Sequence, residues 1–134
     1  MGWAHSFPMS GGVRAGREWT RRQLSSLPWT AEEPETVDSI VLAVSELLTN
    51  AHLHARSDAR LMLTWDGHCL HVSVHDEDPS LPTPKSPASG AVSGRGINIV
   101  RSLADSWDTY CQRHGKTVTA CFRPAAHHRE HGSD

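Results

Sequence analysis

The sequence predicts an α+β fold, a two-layer sandwich with helices covering one face of a mixed, mostly antiparallel sheet, and three observations carry that expectation. One is a run of apolar residues at helical spacing: Val37, Ile40, Val41, Val44, Leu47, Leu48 and Ala51. Another is Asp66-Gly67, a strong hairpin turn signal, set between two segments that alternate apolar and polar residues. The last is the order of elements: strand, helix, helix, hairpin, long loop, helix, hairpin. At 134 residues the chain suits one domain with one core, because two independent domains would each bury too little surface.

Taken in order, Trp3 to Pro8 is short, partly apolar and ended by a proline, as an opening edge strand would be. Ser10-Gly11-Gly12 breaks the chain, and Val13 to Leu24 reads as an arginine-rich helix. Arg14, Arg17 and Arg21 on that helix suit either a partner interface or a solvated basic face. Pro28 to Pro34 is a connector in which Thr30 and Glu33 have the spacing of a capping box, while Pro34 favours a helix start at its own position or later. The apolar stripe that follows falls within about 100° of arc, enough to dock a helix onto a sheet, with Leu42, Ala43 and Leu53 on its far side.

Ala59 to Trp65 alternates as a strand with one buried face. Its return partner runs from about Cys69 to Asp76, with Leu70, Val72 and Val74 on one face and Cys69, His71, Ser73 and His75 on the other. Glu77 to Ser93 holds Pro79, Pro82, Pro84 and Pro87, and a loop of this length is functional or disordered. A third helix is expected over Ile97 to Ala104, then strands over Ser106 to Gln112 and Lys116 to Arg123, joined through His114-Gly115. Residues 1–124 therefore form the expected domain, and 125–134 an expected disordered, histidine-rich tail.

Composition removes several classes of function. A net charge of -2 lacks the basic excess of an electrostatic nucleic-acid binder. No apolar run approaches the roughly 18 residues needed to span a bilayer. Met1 to Ser10 lacks the charged and apolar regions of a secretory signal. The three cysteines, Cys69, Cys111 and Cys121, match no zinc spacing and suit reduced thiols in the cytoplasm.

Glu46 and Asn50 lie four residues apart on the expected long helix, so their side chains can meet one ligand. A carboxamide oxygen is a hard ligand and a carboxylate accepts protons, a pairing that suits a magnesium–phosphate site; the plain alternative is a solvent-facing pair. Asp76 shares the inward parity of Leu70, Val72 and Val74, where a carboxylate can accept a hydrogen bond from an exocyclic amine such as adenine's. Its plain alternative is a strand-ending turn opened with Asp78-Pro79. Gly94-Arg95-Gly96 sits between the long loop and a helix, where glycines let backbone amides approach phosphates and Arg95 can add a contact; a flexible linker is the alternative. His52 and His54 diverge, Cys69, His71 and His75 on one strand match no standard zinc site, and Trp19, Trp29 and Trp107 suit packing.

Glu46-Leu-Leu-Thr-Asn50, then Asp76, then Gly94-Arg-Gly-Ile97 occur in an order that resembles the ATP-binding domain of histidine kinases, gyrase-type ATPases and Hsp90, a Bergerat-type fold with about three helices on one sheet face. Within it, Ser45-Glu-Leu-Leu-Thr-Asn-Ala-His-Leu-His-Ala55 is similar to the stand-alone anti-sigma-factor serine/threonine kinases of actinobacterial type. The resemblance covers about residues 3 to 124. It implies ATP and Mg2+ as cofactors, Glu46 as catalytic base, Asn50 as magnesium ligand and Asp76 as reader of the adenine amine. It further implies that Gly94, Arg95, Gly96 and Ile97 border an ATP lid over Pro79 to Ser93, and that Thr117 supports adenine, although parity leaves open which face Thr117 occupies. His54 matches a histidine frequent in these relatives. In place of the glycines usual after the middle aspartate, the chain reads Asp76-Glu-Asp-Pro-Ser80. The partners implied are an anti-anti-sigma-type protein substrate and a sigma factor, with a homodimer as the family's habit, transcription regulation as the setting, and no direct contact with nucleic acid or membrane. The alternative is a non-catalytic, ATP-sensing partner-switch module.

Overall fold

The computed structural model describes residues 1–8, 11–55, 58–77, 103–112 and 115–124. Along the chain come β1 (Gly2–Phe7), α1 (Gly12–Leu24), a 3-10 turn (Pro28–Glu32), α2 (Pro34–Ala55), β2 (Ala59–Trp65), β3 (Leu70–Asp76), β4 (Ser106–Gln112) and β5 (Gly115–Phe122). The strands form one five-stranded sheet in the order β1-β2-β3-β5-β4. Every described pairing is antiparallel, where a mixed sheet was expected. The expected loop over Pro79 to Ser93 and the tail 125–134 lie outside the described residues, as does the expected third helix up to residue 102. Leu103 and Ala104 pack half-buried against the core.

The core forms between α2 and the sheet. Ile40, Val44, Leu47 and Leu48 of α2 are buried with Leu61 and Leu63 of β2, Leu70, Val72 and Val74 of β3, and Val118, Ala120 and Phe122 of β5. Each such side chain, moved fully out of water, contributes about 1.5–3 kcal/mol, so this interface dominates the fold's stability. Period-two alternation sets the inward face of β3 as Leu70, Val72, Val74 and Asp76. The opposite face is polar and half-buried, with Ser73 Oγ 3.0 Å from Thr119 Oγ1 and His75 Nδ1 2.9 Å from Thr117 Oγ1.

Local chemistry fixes where the helices begin. Pro34 occupies the first turn of α2, where its missing N–H costs nothing, and the Glu33 carbonyl accepts the Val37 N–H at 3.1 Å. The spacing of Thr30 and Glu33 is therefore not a capping box. The Thr30 hydroxyl donates instead to the carbonyls of Leu24 (2.9 Å) and Leu27 (2.7 Å), closing the end of α1. Gly16 lets α1 lie tightly on α2, since a Cβ there would meet Leu48. Trp19 is buried with Phe7, while Trp29 and Trp107 pack half-buried against the core, as packing residues do.

The β2–β3 turn is built on Asp66. Its Oδ1 accepts the N–H groups of His68 (2.8 Å) and Cys69 (2.7 Å), and Oδ2 lies 2.9 Å from His71 Nε2. The Cys69 amide first, then His71 and the His68 amide, hold the Asp66 carboxyl well below the usual carboxylate range.

Candidate nucleotide-binding site

α2 ends at Ala55 and β2 begins at Ala59, and antiparallel pairing sets Arg60 of β2 opposite His75 of β3. The last turns of α2 and the C-terminal end of β3 therefore share one end of the sandwich. Asn50 and Asp76 both sit at that end, and both are buried, at 4% and 2% exposure.

Asn50 carries the clearest chemical signal there. Its Oδ1 is completely buried and has no hydrogen-bond partner among the described residues. An unsatisfied buried acceptor costs roughly 1–3 kcal/mol, a deficit that a ligand or cation can remove. A carboxamide oxygen is a hard donor of the kind Mg2+ takes alongside phosphate oxygens and waters, so the residue fits that ion. Glu46 lies one turn earlier and half-exposed. At 100° per residue, Leu42, Glu46, Asn50 and Leu53 span about 80° of the helix surface. Leu42 and Leu53 are exposed, so the carboxylate and carboxamide stand on a face with an apolar rim.

Asp76 is inward-facing, as its parity indicated, but its carboxylate is engaged. Lys116 Nζ lies 3.1 Å from Oδ1 and 3.0 Å from Oδ2, and both side chains are almost wholly buried. Lys116 is the residue that sequence reasoning missed. It stands directly opposite Asp76 in the β3–β5 register, and the inward apolar series Val118, Ala120 and Phe122 extends back to it at spacing two. The same parity turns Thr117 to the other face of the sheet, where it bonds His75. The structure thus brings Asn50 and Asp76 to the same end of the sandwich and turns Thr117 to the sheet face opposite Asp76. Gly94, Arg95, Gly96 and Ile97 lie outside the described residues.

The remaining polar candidates have structural tasks. His52 is buried, and its Nε2 lies 3.2 Å from the Phe7 carbonyl oxygen, tying the end of α2 to β1. The side chain of His54 lies outside what is described. Burial first, and then the neighbouring Cys69 thiol, push the Cys121 thiol up to about 12, so it is not a poised nucleophile.

A two-layer sandwich with a buried, unsatisfied asparagine carbonyl on the covering helix, and an inward aspartate ending a central strand, is the framework of an ATP-binding domain. Residues 13–122 match the family model of the histidine kinase-like ATPase domain, and the chain belongs to that family. ATP is the ligand that this family binds, and the anti-sigma-factor type within it is a finer reading. No curated protein matches the chain. Among the described residues no helix is long and apolar enough to cross a membrane.

Proposed function

We propose that the chain is a Mg-ATP-dependent protein serine/threonine kinase that phosphorylates an anti-anti-sigma-type partner and sequesters a sigma factor. The observation that carries the reading is the orphaned Oδ1 of Asn50, four residues after Glu46 on α2. Asn50 would hold the magnesium ion, whose chemistry there would be neutralisation of charge on the phosphate oxygens. Glu46 accepts the proton of the partner's hydroxyl as that oxygen attacks the γ-phosphorus; the bond to the β,γ-bridging oxygen breaks and ADP leaves. Such transfer depends on positioning and charge stabilisation. Asp76 reads the adenine amine once Lys116 yields one carboxylate oxygen. Arg95 and the amides of Gly94, Gly96 and Ile97 supply the phosphate contacts, with 79–93 as lid. The protein works in the cytoplasm, and a homodimer is its assembly.

The Lys116–Asp76 pair supports a second reading, a non-catalytic ATP-sensing module whose nucleotide affinity is set by that pair. Titration with a fluorescent ATP analogue, with and without magnesium, followed by incubation with labelled ATP and an anti-anti-sigma partner, separates the two. The kinase reading expects magnesium-dependent binding and a phosphoserine or phosphothreonine that Glu46→Gln abolishes without loss of binding. Binding with no phosphorylated partner favours the module, and no binding at all removes both.

A further inference from the structure

At the opposite end of β3, about 20 Å along the strand from Asp76, a second set of ligating groups converges on the open side of the sheet. A carboxylate oxygen of Asp66, the Cys69 sulfur and a His71 ring nitrogen all lie within 4.8 Å of one another. Asp66 and His71 are already in contact at 2.9 Å, and Cys69 is buried behind them. Cys121 of β5 stands directly across from His71 in the register, and its thiol lies near that of Cys69 although outside this 4.8 Å group, so it would join by a side-chain shift. We propose that Asp66, Cys69, His71 and Cys121 form a zinc site that fastens the β2–β3 turn to β5.

Geometry favours the assignment. Tetrahedral zinc with ligand bonds of about 2.0–2.3 Å sets its ligand atoms roughly 3.3–3.8 Å apart, within reach of the spacing found here after small side-chain shifts. Two sulfurs, an imidazole and one carboxylate are borderline-soft donors, which selects zinc over the hard Mg2+ of the nucleotide site. The outer support is in place as well. Asp66 Oδ1 is held by two backbone amides, which fixes the carboxylate and leaves Oδ2 for the metal. A plain hydrogen-bonded turn accounts for Asp66 and His71 but gives no reason for the Cys69 sulfur within 4.8 Å of both. The Arg123 guanidinium lies against the Cys69 sulfur and is exposed, so it moves into solvent when the cation enters.

Cobalt is the probe, because thiolate ligation gives it a charge-transfer band that oxygen and nitrogen ligands do not. Metal-free full-length protein titrated with Co2+ should develop that band and saturate at one ion per chain, and Zn2+ should abolish it. The histidines at 127, 128 and 131 bind metal without sulfur and cannot produce the band, and Cys111→Ser tests the remaining thiol. Cys69→Ser and the milder His71→Gln should each weaken cobalt binding at least tenfold while the far-ultraviolet circular dichroism stays native. Cys121→Ser should remove about half of the band. Absence of the band in the wild-type chain, or its survival in Cys69→Ser, overturns the site; an unchanged band in Cys121→Ser removes that residue from it.

Discussion

Asn50 keeps a buried carbonyl oxygen that no group among the described residues satisfies, and in the proposed function that deficit serves ligand binding rather than stability. Replacing it should therefore cost the free protein little. Asn50→Ala is expected to leave the denaturation midpoint near that of the wild type, because it also deletes an unsatisfied acceptor, and to abolish the magnesium dependence of nucleotide binding. Urea melts read alongside analogue titrations check both halves; a large loss of stability with unchanged magnesium dependence would sink the assignment. Lys116 behaves in the opposite way. Its removal takes the ammonium away from a buried carboxylate, so Lys116→Met should cost about 3–5 kcal/mol in the free protein. The same change frees Asp76 for adenine, so nucleotide should bind more tightly to whatever fraction is folded. Weaker binding by folded Lys116→Met would mean that the lysine assists the base instead of competing with it.

At the scale of elements, much was legible because strand and helix periods are simple. Leu70, Val72 and Val74 fixed the inward face of β3 and took Asp76 with them. The stripe from Val37 to Ala51 marked the buried side of α2. Applied to Val118, Ala120 and Phe122, the same rule turns Lys116 inward and Thr117 outward, yet a lysine is the residue least expected in a core unless a partner is already known. The partner lies 40 residues away in sequence. Asn50 was legible as a candidate, but its burial was not, for a related reason: a helical wheel gives direction about one axis and does not report what the rest of the chain lays over it. The start of α2 was ambiguous because Thr30 satisfied a short motif that the Pro34 ring overrode. Gly115 shows how closely the β3–β5 pairing is fitted. Its φ is 153°, and an added Cβ would run into the Asp76 backbone carbonyl. Gly115→Ala should displace β5 at the point where Lys116 meets Asp76 and cost about 1–3 kcal/mol. Hydrogen exchange localised to β3 and β5 would register it, whereas unaltered protection there would show that the strand end has slack.

For the molecule as a whole, the proposed nucleotide site would join α2 to β3 and couple the helical layer to the sheet, and such a coupling has a measurable size. A ligand that binds only the folded chain stabilises it by RT ln(1 + [L]/Kd), about 2.7 kcal/mol at a hundredfold excess over Kd. For a domain of this size each kcal/mol moves Tm by roughly 3–5 °C, so saturating Mg-ATP should raise the melting temperature by about 10 °C. The shift should shrink markedly when EDTA removes magnesium. In Asn50→Ala it should become the same with and without the metal, because the proposal makes the carboxamide the protein group through which the ion acts. The zinc site lies at the far end of β3, so its contribution should add to that of nucleotide independently. Calorimetric scans of the same sample with neither ligand, each ligand alone and both together would test this. Additive shifts mean that two separate sites brace opposite ends of one sheet, and a shift for the pair well below the sum would mean that both metals act at a single place.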